Sequence, residues 1–182
     1  MCPVRKLLPV LIATFTWATL HASSGNASLA ETVAWLNEKF AQPNEIRSTE
    51  TTGSGVHMTY FGATSVRANE QCYLAVSTRT RTTAGSQSGP VVDIQSTLKL
   101  SNVRPTSTEI QEQTWGERKV SVLVIETSPD GVTSDMQLDS KRGEPIKTNK
   151  VLLFLADRDF AERVARAMNH SALLCGAKEE PF

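Results

Sequence analysis

The sequence has few aromatic residues, few cysteines and no excess of either charge. Its 182 residues include three cysteines, too few for a small scaffold built on disulfides. Nineteen basic residues balance nineteen acidic ones, so no basic field attracts nucleic acid. Aromatic residues make up 6% of the chain, which argues against a sugar-binding cleft lined by stacking rings. With 40% hydrophobic and 21% charged residues, the composition is that of a globular domain.

The local motifs of several enzyme classes are also missing. There is no G-x-S-x-G, no phosphate-binding loop, no dinucleotide fingerprint, and no HExxH, CxxC or acidic calcium-loop pattern. Five acidic residues lie in predicted turns and helix starts, where capping or solvation explains them: Asp135, Asp139, Glu144, Asp157 and Asp159. We therefore expect no cofactor and no metal, and the lack of motifs favours a non-enzymatic protein.

The start of the chain has the order of a secretory signal peptide. A short basic pair precedes an apolar stretch over 7–20, and small residues follow it. The stretch is shorter than the roughly 20 residues that cross a bilayer. We expect residues 1–27 to be a signal peptide, cleaved after Ala22 or Ala27. Cleavage would leave a net charge of −2, no membrane span and an exported protein, either periplasmic or extracellular.

Helical spacing opens the remaining chain. Ser28 and Glu31 have the spacing of a capping box, and Pro43 ends the pattern, so a helix is predicted over about 29–41. Its apolar face comprises Leu29, Val33, Leu36 and Phe40.

A second helix is predicted at the end of the chain. Asp157 or Asp159 caps its start, and Gly176 stands where a helix-ending glycine belongs. Its predicted apolar stripe comprises Phe160, Val164, Ala167, Met168, Ser171 and Leu174. The last residues, 177–182, are expected to be a frayed tail.

Between the helices, β-forming residues recur in short runs separated by turn signals. Strands are predicted at 56–61, 72–78, 91–95, 97–103, 120–126, 133–138 and 150–154. The Ser/Thr/Gly-rich segment 82–90 is predicted to be a loop or hairpin tip. No helix separates the strands, so the sheet is predicted to be antiparallel. The sequence thus predicts one α+β domain over 28–176, an antiparallel sheet or partly open barrel of about six or seven strands with terminal packing helices.

Two segments of this domain, 31–36 and 161–176, carry a resemblance to known proteins. They read Glu-Thr-Val-Ala-Trp-Leu and, at the end of the second, Leu-Cys-Gly. They resemble a loose group of small exported bacterial proteins of unknown function. The resemblance implies an amphipathic helix, a polar antiparallel sheet and a closing helix that ends in Leu-Cys-Gly. The plan is also similar to the pleckstrin-homology-like architecture, a likeness of fold that implies no ligand.

Two cysteines remain after the predicted cleavage, Cys72 at a strand start and Cys175 at the end of the last helix. An even number of thiols in an exported protein suggests a disulfide closing a loop of about 100 residues. The alternative is two separate buried thiols. A thiol nucleophile is disfavoured because His170 and Cys175 would face different sides of a helix. Only His57 with Cys72 stays geometrically open.

Arg79 and Arg81 alternate with threonines, which places both side chains on one side of a strand. They are a candidate anion site. The alternative is a solvated edge strand protected by its charge.

These features lead to three functional hypotheses. The first is an exported, non-enzymatic interaction or binding module for an unknown protein or small-molecule partner. The second is a carrier or sensor of a small apolar ligand held between helix and sheet. The third is an enzyme whose site assembles distant residues, such as His57, Cys72 or paired carboxylates.

Overall fold

The computed structural model describes residues 27–178, in which two helices accompany two antiparallel sheets. Helix α1 spans Leu29–Lys39 and helix α2 spans Arg158–Leu174. The strands are β1 (Asn44–Thr51), β2 (His57–Ala68), β3 (Tyr73–Ala84), β4 (Gln87–Lys99), β5 (Glu109–Trp115), β6 (Arg118–Glu126), β7 (Val132–Leu138), β8 (Lys141–Arg142), β9 (Ile146–Thr148) and β10 (Lys150–Leu155). The predicted α+β class is confirmed. The predicted signal peptide lies outside the described residues, except for Ala27.

The larger sheet has seven strands, in the order β1-β2-β3-β4-β7-β8, with β9 also paired to β7. The smaller sheet has the order β10-β6-β5. Every strand pair is antiparallel. Only Asn149 separates β9 from β10, so the chain passes from one sheet to the other at this residue. The two sheets therefore meet at a tight corner.

Helix α1 begins at the predicted capping box. The Ser28 hydroxyl accepts from the Glu31 N–H at 3.3 Å, and the Glu31 carboxylate accepts from the Ser28 N–H at 2.8 Å. These bonds favour the ionised carboxylate and lower the pKa of Glu31. The helix ends at Lys39, two residues before the predicted end, and its predicted apolar face is buried at Val33 and Leu36.

Helix α2 is capped by Asp157, whose carboxylate accepts from the Phe160 N–H at 2.6 Å. The apolar stripe is buried at Val164, Met168 and Ser171, as predicted. Leu174 is 48% exposed, so its place in the predicted stripe is wrong. The helical period instead continues from Met168 through Ala172 to Cys175, which packs on the core.

Two of the longer strands, β1 and β5, carry no sequence prediction, and both are edge strands. Of the predicted loop 82–90, only residues 85–86 lie outside the strands, because β3 and β4 continue into a long hairpin. Ala177 is buried and its N–H bonds the Ala172 carbonyl at 2.9 Å. The packed domain therefore includes the first residue of the predicted tail.

The main core lies between both helices, one end of the larger sheet and one face of the smaller sheet. Its large fully buried side chains include Leu36, Val66, Leu74, Leu100, Leu123, Ile125, Leu153, Leu155 and Met168. Strand β6 is buried on both faces from Val120 to Ile125. Because side chains alternate along a strand, both faces of β6 are covered, and β1 of the larger sheet is one of its neighbours.

A disulfide joins Cys72 to Cys175, with the Cα atoms 5.7 Å apart. Cys72 closes the turn between β2 and β3, where its N–H bonds the Asn69 carbonyl at 3.1 Å. The bond therefore fastens the end of α2 to a turn of the larger sheet.

Candidate ligand-binding groove

A groove of about 270 Å³ lies between strand β10 and the inner face of the larger sheet. Its floor comes from β3, β4 and β7, and β9 and β10 form one side where they meet at Asn149. The volume lies between that of an engineered benzene site, about 150 Å³, and the lower end of drug-sized pockets, about 300 Å³. A small organic molecule would therefore fit.

The lining of the groove is mostly apolar. Its apolar members are Ile94, Met136, Ile146, Val151, Leu152 and Phe154. The remaining members are the hydroxyl residues Thr78, Thr80, Ser96, Ser134 and Thr148, together with Lys150. Among residues 27–178, no histidine, cysteine or carboxylate lines the groove. The surface therefore offers mainly apolar contacts and neutral hydroxyls, with Lys150 as the one ionisable group among the described lining residues.

Large apolar side chains are exposed where the groove meets solvent. Met136 is 44% exposed, Ile146 49% and Leu152 43%. Leu138 follows Met136 on the same face of β7 and is exposed as well. Isolated exposed apolar residues are ordinary, but a group around one concave site is typical of a binding surface.

Two serines on neighbouring strands form a hydroxyl pair on the floor of the groove. Ser96 of β4 and Ser134 of β7 are partners in the ladder, and their Oγ atoms are 2.8 Å apart. Ser96 is 6% exposed and Ser134 5%. The pair is thus a buried polar element in a largely apolar wall.

Side-chain hydrogen bonds hold the free edge of β10 to the larger sheet. The Thr78 hydroxyl donates to the Leu152 carbonyl at 3.4 Å, and the Phe154 N–H donates to the Thr64 hydroxyl at 3.2 Å. No backbone ladder joins β10 to the larger sheet. The two sheets are therefore linked at β2 and β3, and the groove lies on the β4 and β7 side of these bonds.

The one charged residue in the lining is neutralised by its neighbour. Lys150 Nζ lies 2.6 Å from Glu126 Oε1, across the β10–β6 pair. The hydrogen bond and the charge of Glu126 raise the pKa of Lys150. The groove consequently carries no unpaired charge among its lining residues.

Trp115 closes the far side of Phe154. The two rings have centroids 5.0 Å apart. The indole also lies over Gly62 of β2, where an added Cβ would come within 2.6 Å of the ring. A glycine at this point of β2 therefore makes room for Trp115, which in turn supports a wall of the groove.

The sequence-predicted site residues lie away from the groove. The disulfide leaves neither Cys72 nor Cys175 as a free thiol, so no thiol–histidine pair exists with them. His57 is exposed at the start of β2, with Nδ1 3.0 Å from the Thr51 hydroxyl. His170 Nε2 lies 2.6 Å from the Ala27 carbonyl, joining α2 to the residue before the α1 cap.

Arg79 and Arg81 lie on the outer face of the larger sheet. The Arg79 guanidinium donates to both carboxylate oxygens of Asp93, at 2.6 and 3.2 Å, and this pairing raises the pKa of Arg79. Strand β3 lies between β2 and β4, so the predicted edge strand is wrong: the alternation of threonine and arginine reflects one solvated face of an interior strand. With Arg79 bound to Asp93, the candidate anion site would rest on Arg81.

Two of the acidic residues in the predicted turns, Asp135 and Asp139, have structural partners. Asp135 lies 3.0 Å from Arg142, and Asp139 accepts from the Val91 N–H at 2.9 Å. Within residues 27–178, no group of three or more His, Cys, Asp or Glu side chains could hold a metal ion.

A second hollow lies between α1 and the end of β2. It has a volume of about 310 Å³, and its lining is more polar than that of the groove. The Asn37 amide bonds both the carbonyl and the N–H of Ala68, each at 2.9 Å. The polar groups at this hollow therefore serve to attach α1 to β2, and we do not assign it as a site.

The groove residues were not recognisable as a site from the sequence. They come from five strands spread over 78–154, and the hydroxyl residues among them have the pattern of a solvated face. Ser96 lies two residues before Leu98, and Ser134 lies two residues after Val132, so each serine shares a strand face with a buried apolar residue. This spacing is the one sequence feature that indicates their place on the inner face.

Comparison with known proteins adds no relative: the chain matches no protein-family model, no curated protein and no solved structure. Among the described residues, no helix is both long and apolar enough to cross a bilayer.

Proposed function

We propose that this protein is an exported, non-enzymatic binding module that holds a small, largely apolar molecule in the groove between its two sheets. The observation that carries the proposal is the group of apolar side chains exposed around a groove of about 270 Å³. Apolar surface left in contact with water costs about 25 cal/mol per Å², and a bound apolar ligand would cover it.

Two further features support the proposal. The described lining residues include no histidine, cysteine or carboxylate, and the Lys150 amine is paired with Glu126, which favours binding over acid–base or nucleophilic chemistry. The Cys72–Cys175 disulfide fits an oxidising compartment, as expected for an exported protein.

The first experiment tests the groove with an apolar fluorescent probe, N-phenyl-1-naphthylamine. We expect the disulfide-bonded protein to bind it with a saturable rise in fluorescence. Replacing two half-exposed lining residues, Met136→Gln and Leu152→Gln together, removes apolar contacts of about 1 kcal/mol each. The dissociation constant should then rise about thirtyfold.

A matched variant supplies the control. Leu173→Gln and Leu174→Gln together replace two apolar residues at the end of α2, 41% and 48% exposed, which is similar to the exposure of Met136 and Leu152. This variant should bind the probe as the original protein does. Equal binding by both double variants, or no binding by the original protein, would falsify the assignment of the groove as the ligand site.

A further inference from the structure

We infer that the ligand of the groove is an uncharged molecule that carries a hydrogen-bond acceptor, such as a ketone, ester or amide carbonyl, and seats that acceptor on the Ser96–Ser134 hydroxyl pair. This inference deepens the proposed function and rests on it. It concerns the chemical class of the ligand, which the apolar lining alone does not specify.

The two hydroxyls of the pair carry more hydrogens than they can use between them. Each serine hydroxyl carries one hydrogen. At an Oγ–Oγ distance of 2.8 Å, one of the two hydrogens lies between Ser96 and Ser134. The second hydrogen has no protein acceptor among the described residues. Whichever serine donates to the other, the pair retains one O–H donor.

Burial makes this remaining donor significant. Both serines are more than nine-tenths buried, and both line the groove. A buried donor without a partner is costly, and a ligand oxygen would remove that cost. The donor stands beside Ile94 and Met136 in an apolar wall, so the acceptor belongs to an otherwise apolar molecule.

The charge of the site distinguishes a neutral acceptor from a carboxylate. Lys150 is the one charged lining residue, and Glu126 neutralises it at 2.6 Å. A carboxylate in the groove would lose its hydration without meeting an unpaired cation. The site is therefore complementary to a neutral carbonyl.

Three probes of the same shape separate these chemistries. 2-Acetylnaphthalene carries a neutral carbonyl, 2-isopropenylnaphthalene has a methylene group in place of that oxygen, and 2-naphthoate is the charged counterpart. Their affinities are measured by displacement of N-phenyl-1-naphthylamine from the disulfide-bonded protein. We expect the ketone to bind about two- to tenfold more tightly than the alkene, the effect of one hydrogen bond. The carboxylate should bind more weakly than the ketone.

A double variant links this preference to the serines. Ser96→Ala and Ser134→Ala together remove both partners of the pair, a change that is often neutral for folding because no orphaned hydroxyl remains. The ketone should then lose its advantage and bind no more tightly than the alkene, because its carbonyl would be buried without a donor. Ser65→Ala with Ser77→Ala is the matched control, because Ser65 and Ser77 are ladder partners on the outer face of the same sheet. This control should retain the preference for the ketone.

The outcomes separate the two proposals. Equal binding of ketone and alkene to the original protein overturns the acceptor inference while leaving the groove as an apolar site. Preferred binding of the carboxylate overturns the neutral class. Failure of the fluorescent probe itself to bind overturns the proposed function, and the inference with it. The comparison on the original protein needs no variant, so it holds whether or not the alanine variants fold.

Discussion

At the scale of single residues, the wall of the groove depends on Gly62, which has no side chain. Gly62 lies in a buried stretch of β2 with an ordinary strand conformation, so backbone freedom does not explain it. The reason is the Trp115 ring, which occupies the space where a Cβ would stand. Small residues in strands commonly mark such close approaches.

Gly62→Ala should therefore destabilise the protein by about 1–3 kcal/mol, the usual cost of overpacking. It should also change the emission of Trp115, because the ring must move away from β2. Denaturant unfolding followed by tryptophan fluorescence measures both effects. Gly53→Ala is the control, since a Cβ there meets nothing within 4 Å. Equal stability of the two variants would show that Trp115 yields without cost.

At the scale of secondary structure, elements were predictable where their own apolar residues reveal a buried face. Both helices have such a face, and so does β6, whose run of branched residues is buried on both sides. Strands β1 and β5 gave no such signal. Each has its backbone bonded by one neighbouring strand, and within β1 the apolar contribution to the core is Ile46 alone. β1 and β5 are strands because each pairs with a neighbouring strand. The linear sequence does not show this pairing.

The groove could not be predicted from the sequence, because it too depends on how strands pair. Period-two alternation shows that a strand has two faces, but it does not show which face is covered when both carry small polar residues. Thr78 and Thr80 have the pattern of a solvated face, yet they lie inside, while Arg79 lies outside. The register across β3, β4 and β7 brings the hydroxyls together, and that register is a property of the assembled sheet.

The buried face of α2 gives a prediction at this scale. Val164 is fully buried against the core, so Val164→Asp would place a charge there without a partner. We expect a loss of several kcal/mol, on the order of the cost of a buried unpaired charge, seen as a large fall in the unfolding midpoint. Arg166→Asp, on the exposed face of the same helix, should shift the midpoint little. A similar shift in both variants would contradict the packing of α2.

At the scale of the whole molecule, the last helix is attached to the rest by three kinds of contact. Its apolar face packs on α1 and on the smaller sheet, His170 bonds the Ala27 carbonyl, and the disulfide fastens Cys175 to the turn before β3. The bonded cysteines are 103 residues apart in sequence. A cross-link of this span restricts the unfolded chain strongly.

Replacing both cysteines, Cys72→Ser with Cys175→Ser, should lower the free energy of unfolding by about 4–5 kcal/mol in the chain-entropy account. Chemical denaturation with and without a reductant measures the effect. The reductant should destabilise the original protein and leave the double variant unchanged. No response of the original protein to reduction would mean that the bond contributes nothing to its stability.

The position of the disulfide also determines what happens when a protease cuts the backbone once. All of the groove-lining residues lie between Cys72 and Cys175, so the strands that carry them belong to a covalent ring. A protease that cuts once within this ring, for instance at the exposed β3–β4 hairpin tip, opens the ring without releasing a fragment. The strands that line the groove would remain parts of a single molecule after such a cut.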